Sequence, residues 1–148
     1  MTPPGDLWFV DTNVLLYRHD SRNAARQRSA RIWIEALENS RSGRLSWQVI
    51  NEFYDTAVRK IGAPLLLARR VATLYMTWHP VAFSPGLLER AWYWSDRAQL
   101  QYWDALILAS AEVAGCRWLL SEDFQTGRRF GNVTVANPFR SDPEEFGG

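Results

Sequence analysis

Four acidic side chains are placed so that they could share one task. Asp11 directly follows the short apolar run Leu7 to Val10. Glu52 falls in the first turns of a helical pattern that begins after the run Leu45 to Trp47. Asp104 opens the apolar stretch Ala105 to Ala114, and Asp123 closely follows the run Trp118 to Leu120. In α/β sheets, ligands gather beyond the carboxyl ends of the strands, and all four residues sit at such edges or face them. Four carboxylates crowded at one rim repel one another strongly unless a cation lies among them. Oxygen-only donors favour Mg²⁺ or Mn²⁺ over zinc.

Each acid also has an ordinary reading. Asp11 and Asp104 suit helix N-caps, Glu52 suits a solvated helix face, and Asp123 suits a turn. The four together, each at the same kind of edge, favour a shared site.

The elements that must position them follow from periodicity. Leu7 to Val10 reads as a buried strand that Asp11-Thr12-Asn13 stops and turns into a helix. Ser21 is the expected cap of a second helix, with Ala30, Trp33, Ile34 and Leu37 as its apolar stripe and a break at Asn39 to Gly43. Leu45 to Trp47 reads as a second strand. Ile50, Phe53, Tyr54, Ala57, Val58 and Ile61 then recur at helical spacing up to Gly62. Pro64 opens the next helix through Leu67, Val71, Leu74 and Tyr75. Val81 to Phe83 is a third strand candidate, and Ser84-Pro85 starts a helix through Leu88, Ala91 and Trp92. Ala105 to Ala114 is apolar almost throughout and predicts a helix buried on most sides. Trp118 to Leu120 and Val133 to Val135 complete five strand candidates. Short apolar strands alternating with helices predict an α/β fold with a parallel sheet covered on both faces.

Composition narrows the function class. The 148 residues suit one domain, and the 47% apolar fraction can supply a core. A net charge of +1 makes no general case for nucleic acid, so any such case must come from a local site. Cys116 is the only cysteine, which excludes an intrachain disulfide and a cysteine-based zinc cluster. No apolar run approaches membrane-spanning length, so the expected setting is cytoplasmic.

Four segments carry a family resemblance. Asp11-Thr12-Asn13-Val14-Leu15-Leu16-Tyr17 resembles the opening motif of PIN-domain nucleases. Ser46-Trp47-Gln48-Val49-Ile50-Asn51-Glu52-Phe53-Tyr54 is similar to their second motif. Tyr102-Trp103-Asp104-Ala105-Leu106-Ile107-Leu108-Ala109 is similar to the third, and Leu119-Leu120-Ser121-Glu122-Asp123-Phe124-Gln125-Thr126-Gly127 to the fourth. They occur in the family's order, and the compact chain most resembles the VapC-type toxins of bacterial toxin–antitoxin pairs.

The resemblance implies a PIN-like three-layer α/β/α domain over residues 1–148, with a central, mostly parallel five-stranded sheet. It implies an endoribonuclease dependent on Mg²⁺ or Mn²⁺, usually a homodimer, acting on RNA and silenced by a small antitoxin on a separate chain. The family's acids map onto Asp11, Glu52, Asp104 and Asp123 as metal ligands and catalytic residues. Ser121 stands where Thr is commoner and keeps the hydroxyl. Asn13 is expected to orient Asp11 or a water. The implied mechanism is hydrolysis by water activated on the cation, which also offsets the charge developing on the phosphate. His19 and His79 lie outside all four motifs.

Arg128 and Arg129 follow the fourth motif and are the favoured RNA contacts, since phosphate contacts dominate nucleic-acid affinity. Arg22, Arg26, Arg28 and Arg31 read instead as a solvated helix face. Trp92, Trp94 and Trp103 could stack on an unpaired base, but core or dimer packing is the expected use. Two rivals remain at this point. An aspartyl-nucleophile phosphatase would want an acid at position 13 and gives Glu52 no role. A binding module with a dead nuclease site would tolerate the loss of a carboxylate, yet all four are present.

Overall fold

The computed structural model describes residues 5–146. Its sheet is built from five short strands: β1 (Trp8–Val10), β2 (Gly43–Arg44), β3 (Trp118–Leu120), β4 (Arg129–Phe130) and β5 (Val133–Ala136). The helices are α1 (Thr12–Arg18), α2 (Ala24–Ser40), α3 (Trp47–Thr56), α4 (Leu65–Tyr75), α5 (Pro85–Ala98) and α6 (Tyr102–Val113). The strand order is β2-β1-β3-β5-β4, with only β4 antiparallel. The step from β1 to β2 runs one way across the sheet, and the step from β2 to β3 runs back over β1. Right-handed crossovers therefore put α1 and α2 on one face and α6 on the other.

Burial follows the predicted pattern. Phe9, Val10, Leu119 and Leu120 are fully enclosed, and α6 buries every residue from Ala105 to Ala111. At the opposite end of the strands Trp8 stacks on Trp118, with ring centroids 5.2 Å apart, and Trp33 and Phe146 close over them. Cys116 is buried.

Three expectations change. The second strand is Gly43–Arg44, ahead of Leu45 to Trp47, because the Ser46 hydroxyl accepts the Val49 N–H at 3.3 Å and caps α3. A side chain on Gly43 would put its Cβ 2.5 Å from the Trp78 ring, so this strand edge has room only for glycine. The segment Val81 to Phe83 contributes a single parallel bridge, Val81 to Ser46, since the helix capped by Ser84 starts too soon for a strand. The fifth strand is instead Arg129–Phe130, a two-residue partner of β5 too short and too polar to show a period. The second helix is capped by Asn23, whose side chain accepts the Arg26 N–H, and Ser21 lies before it.

The stripe from Ile50 to Ile61 forms as predicted, with one modification. After Thr56 the helix widens into a π turn, Ala57–Ile61, before Gly62 ends it at φ 77°. Such turns recur at functional sites because they reset which side chains share a face.

Candidate active site

β1 ends at Val10, and the next residue, Asp11, caps α1 with its carboxylate turned inward. Oδ1 accepts the Thr12 N–H at 2.8 Å, and Oδ2 accepts the Ser121 hydroxyl at 2.7 Å. The residue is only 6% exposed. Burial is the main force pushing its pKa up to about 7; the charges of Asp123 and Asp104 add to that, while the Ser121 and Thr12 hydrogen bonds oppose it.

Ser121 follows β3, the strand next to β1, and its hydroxyl also accepts the Asp123 N–H at 3.0 Å. Asp123 is fixed from its other side by the Asn13 amide, which donates to Oδ2 at 2.8 Å. Burial and the Glu122 charge raise the Asp123 pKa, and the Asn13 bond lowers it. Asn13 therefore orients Asp123; Asp11 is oriented by Ser121.

Glu52 projects from α3, where Oε1 accepts the Thr12 hydroxyl at 2.7 Å and Oε2 faces the Gln48 amide at 3.4 Å. Asp104 lies in the first turn of α6 but does not cap it, because Gln101 holds the cap position. Its pKa is raised by burial and then by the charges of Asp123 and Glu52. Asp11, Glu52, Asp104 and Asp123 all line one open cavity of about 410 Å³.

The donor set is all oxygen, which suits a hard divalent cation. Gln48 Oε1 supports that fit: it is buried, lines the same cavity, and is an acceptor without a hydrogen-bond partner among the described residues. No three acidic, His or Cys side chains among the described residues form a tight cage by themselves. Three of the carboxylates, Glu52, Asp11 and Asp123, are held around the space by Thr12, Ser121 and Asn13 respectively. That arrangement suits a cation retaining several waters and touching few carboxylates, as Mg²⁺ does.

Several cavity residues escaped the sequence reading: Thr12, Gln48, Asp55, Arg59 and Lys60; Trp103, weighed there as a base-stacking candidate, lines the cavity too. Helical spacing from Glu52 could have found Gln48 and Asp55, one turn before it and one turn after it. Arg128 and Arg129 do not line this cavity. The Arg128 guanidinium lies 4.4 Å over the Phe130 ring, and Arg129 donates to the Gly131 carbonyl. Of the basic cluster, Arg22 lies ahead of α2 and pairs with Asp20, and Arg26 in α2 pairs with Glu122 while covering the Phe139 ring. Trp94 is buried, but Trp92 and Trp103 are exposed. A second cavity of about 440 Å³ is lined by Arg18, His19, Arg44 and His79, and its one acid, Glu38, is tied to Arg18. It offers no carboxylate cluster.

Residues 8–129 match the PIN domain family. The chain belongs to that family. Among solved structures, a toxin–antitoxin complex from Klebsiella pneumoniae shares this PIN fold at a TM-score of 0.66 and 21% identity, over 88% of this chain and 96% of that one. Mycobacterium tuberculosis VapC20, a sarcin–ricin loop cleaving toxin, aligns at a TM-score of 0.57 and 21% identity, over 76% of this chain and 86% of that one. No curated protein matches the chain. The α/β architecture and the mostly parallel sheet expected from the motifs are those of the PIN domain. No helix among the described residues is long and apolar enough to cross a membrane.

Proposed function

We propose that this PIN domain is an endoribonuclease dependent on Mg²⁺ or Mn²⁺, the toxin of a toxin–antitoxin pair, silenced by a small antitoxin and working as a homodimer. One observation carries the reading: Asp11, Glu52, Asp104 and Asp123 share a single open cavity at the carboxyl ends of β1 and β3. PIN nucleases generally use divalent metals, and the two solved neighbours, a toxin–antitoxin complex and an RNA-cleaving toxin, support the biological setting.

A divalent cation bound there supplies the positive charge that a scissile phosphate requires and lowers the pKa of the attacking water. The protein's own groups prepare the place. Asp11 and Asp104 both line the cavity at helix N-termini, where burial raises the pKa of each and a cation would favour their charged forms. Ser121 keeps Asp11 in one orientation and favours its ionised form. Asn13 and Thr12 do the same positioning for Asp123 and Glu52. Asp11 and Asp104 are assigned as the principal ligands, Glu52 and Asp123 as completing the set.

The test is RNA cleavage with Mn²⁺ by the wild type and by Asp11→Asn at equal folded concentration. Asn keeps the shape and loses the charge, so the expected result is loss of cleavage with the fold retained. Near wild-type cleavage by the variant would remove Asp11 from the site.

A further inference from the structure

We propose that Trp103, with Arg59 and Lys60, forms a platform that admits unpaired RNA to the acidic cavity, with Trp103 stacking a base beside the reacting phosphate. This rests on the ribonuclease reading above and adds the strand class that the site accepts.

Trp103 occupies the second position of α6, immediately before Asp104. It lines the acidic cavity while remaining 51% exposed, so its ring forms part of the mouth. Its neighbour Tyr102 meets it edge to face, with centroids 5.2 Å apart and planes at 68°, which braces the ring and leaves its exposed area uncovered. An indole left half in water beside a set of carboxylates has no packing role on its outer side. A nucleobase is the flat apolar partner that fits there, and aromatic rings stack on any base regardless of its identity.

Stacking alone cannot bring a polyanion to a cluster of carboxylates. The cavity's cations supply the missing attraction, and both come from the widened end of α3. Arg59 and Lys60 lie in the π turn Ala57–Ile61 and line the same cavity as Glu52. Arg59 is paired with Asp55, but both side chains are more than half exposed, and such a pair opens readily to a phosphate. Lys60 makes no ion pair among the described residues. One cavity therefore carries phosphate-binding groups from the α3 side, a base-stacking ring from α6 and the four carboxylates.

A base paired in an A-form helix is stacked on both faces and closed to an indole. The platform thus selects loops and single strands over duplex.

The probe is a short fluorescein-labelled single-stranded RNA of mixed sequence, and the same RNA annealed to its complement, bound in chelator to prevent cleavage. Binding is followed by anisotropy for wild type, Trp103→Ala and Trp103→Phe. The expected result is single-strand binding weakened roughly tenfold in Trp103→Ala and largely restored in Trp103→Phe. Duplex binding should be weak and insensitive to position 103. Melting temperature and stabilisation by Mn²⁺ should be unchanged in both variants, because the ring is half exposed.

Equal single-strand affinity in Trp103→Ala and wild type would overturn the platform, as would a wild type that prefers duplex or binds neither strand form. The two readings fail separately. A wild type that binds single strands through Trp103 and hydrolyses none would refute the ribonuclease reading and leave the platform. A wild type that hydrolyses RNA with KM and binding untouched by Trp103→Ala would do the reverse.

Discussion

The Ser121 hydroxyl donates a 2.7 Å hydrogen bond to Oδ2 of Asp11, joining the ends of two adjacent parallel strands at a fully buried point. The Ser121 Oγ also accepts the Asp123 N–H, so one hydroxyl governs two of the four acids. Ser121→Ala should lower stability by about 1 kcal/mol, the usual net worth of one such bond. It should also raise the Asp11 pKa further, because the lost donor favoured the charged form. Mn²⁺ should then stabilise the variant less than wild type near neutral pH, with the deficit shrinking at higher pH. Thermal unfolding with and without Mn²⁺ measures this, and equal Mn²⁺ gains at all pH values would dismiss the role.

Asp104 is burdened by the charges of Asp123 and Glu52. Asp104→Asn should raise the melting temperature of the metal-free protein, since one repelling charge is gone. It should also reduce the gain from Mn²⁺, which for a folded-state ligand is RT ln(1 + [M]/Kd), roughly 2.7 kcal/mol at a hundredfold excess over Kd. Asp104 is not a helix cap, so no cap loss obscures the first effect. Equal Mn²⁺ stabilisation of both proteins would exclude Asp104 from the site. No stabilisation of either, even at high Mn²⁺, would refute the metal site as a whole.

The raised pKa of Asp11 sets a direction for pH. In the metal-free protein the fold binds this proton more tightly than the unfolded chain does, whose carboxyl titrates near 3.8. The associated stability is complete below about pH 3.8 and is lost as pH rises through about 7. Asp104 and Asp123, raised as well, act in the same direction. Asp20, held down chiefly by its hydrogen bond from Arg22, acts oppositely and only in acid. Denaturant unfolding in chelator should therefore show stability falling between about pH 5 and pH 8. Asp11→Asn should flatten that slope, and Mn²⁺ should reduce it in the wild type. A wild-type profile that rises across this range would contradict the desolvation of Asp11.

Leucines at the start of α4 face water, with Leu66 76% exposed and Leu65 and Leu67 about half exposed. Leu74 farther along α4 is exposed as well. Apolar area of this kind on one helix suits a self-complementary contact. Light scattering should give a species of twice the 17.1 kDa chain mass. Leu66→Asp should shift it toward monomer with little change in the monomer's fold. A monomer throughout the micromolar range would refute the dimer.

Much of the site was legible along the chain. Asp11 and Asp123 end up where short apolar runs stop, and Asp104 stands at the head of the buried helix that periodicity outlined. The misplaced strands had local causes. Ser46 works as a helix cap, so the run Leu45 to Trp47 turns into α3 at Trp47 and the ladder with β1 stops at Arg44, and β4 is only two residues long. The RNA contacts favoured at Arg128 and Arg129 rested on nearness in sequence, and their side chains are engaged by Phe130 and Gly131. Arg59, two turns beyond Glu52, was within reach of helical spacing, whereas the π turn that carries it and Lys60 was not.

The sequence by itself determined the acid set, the α/β alternation and the buried character of α6, because each depends on residue types within a few positions of one another. Tertiary structure alone decided which polar group holds which acid. Ser121 meets Asp11 and Asn13 meets Asp123 across 110 residues, and Thr12 meets Glu52 across 40. It also decided that Asp11 titrates near 7, since desolvation exists only once β1, β3 and α6 have closed around the carboxylate.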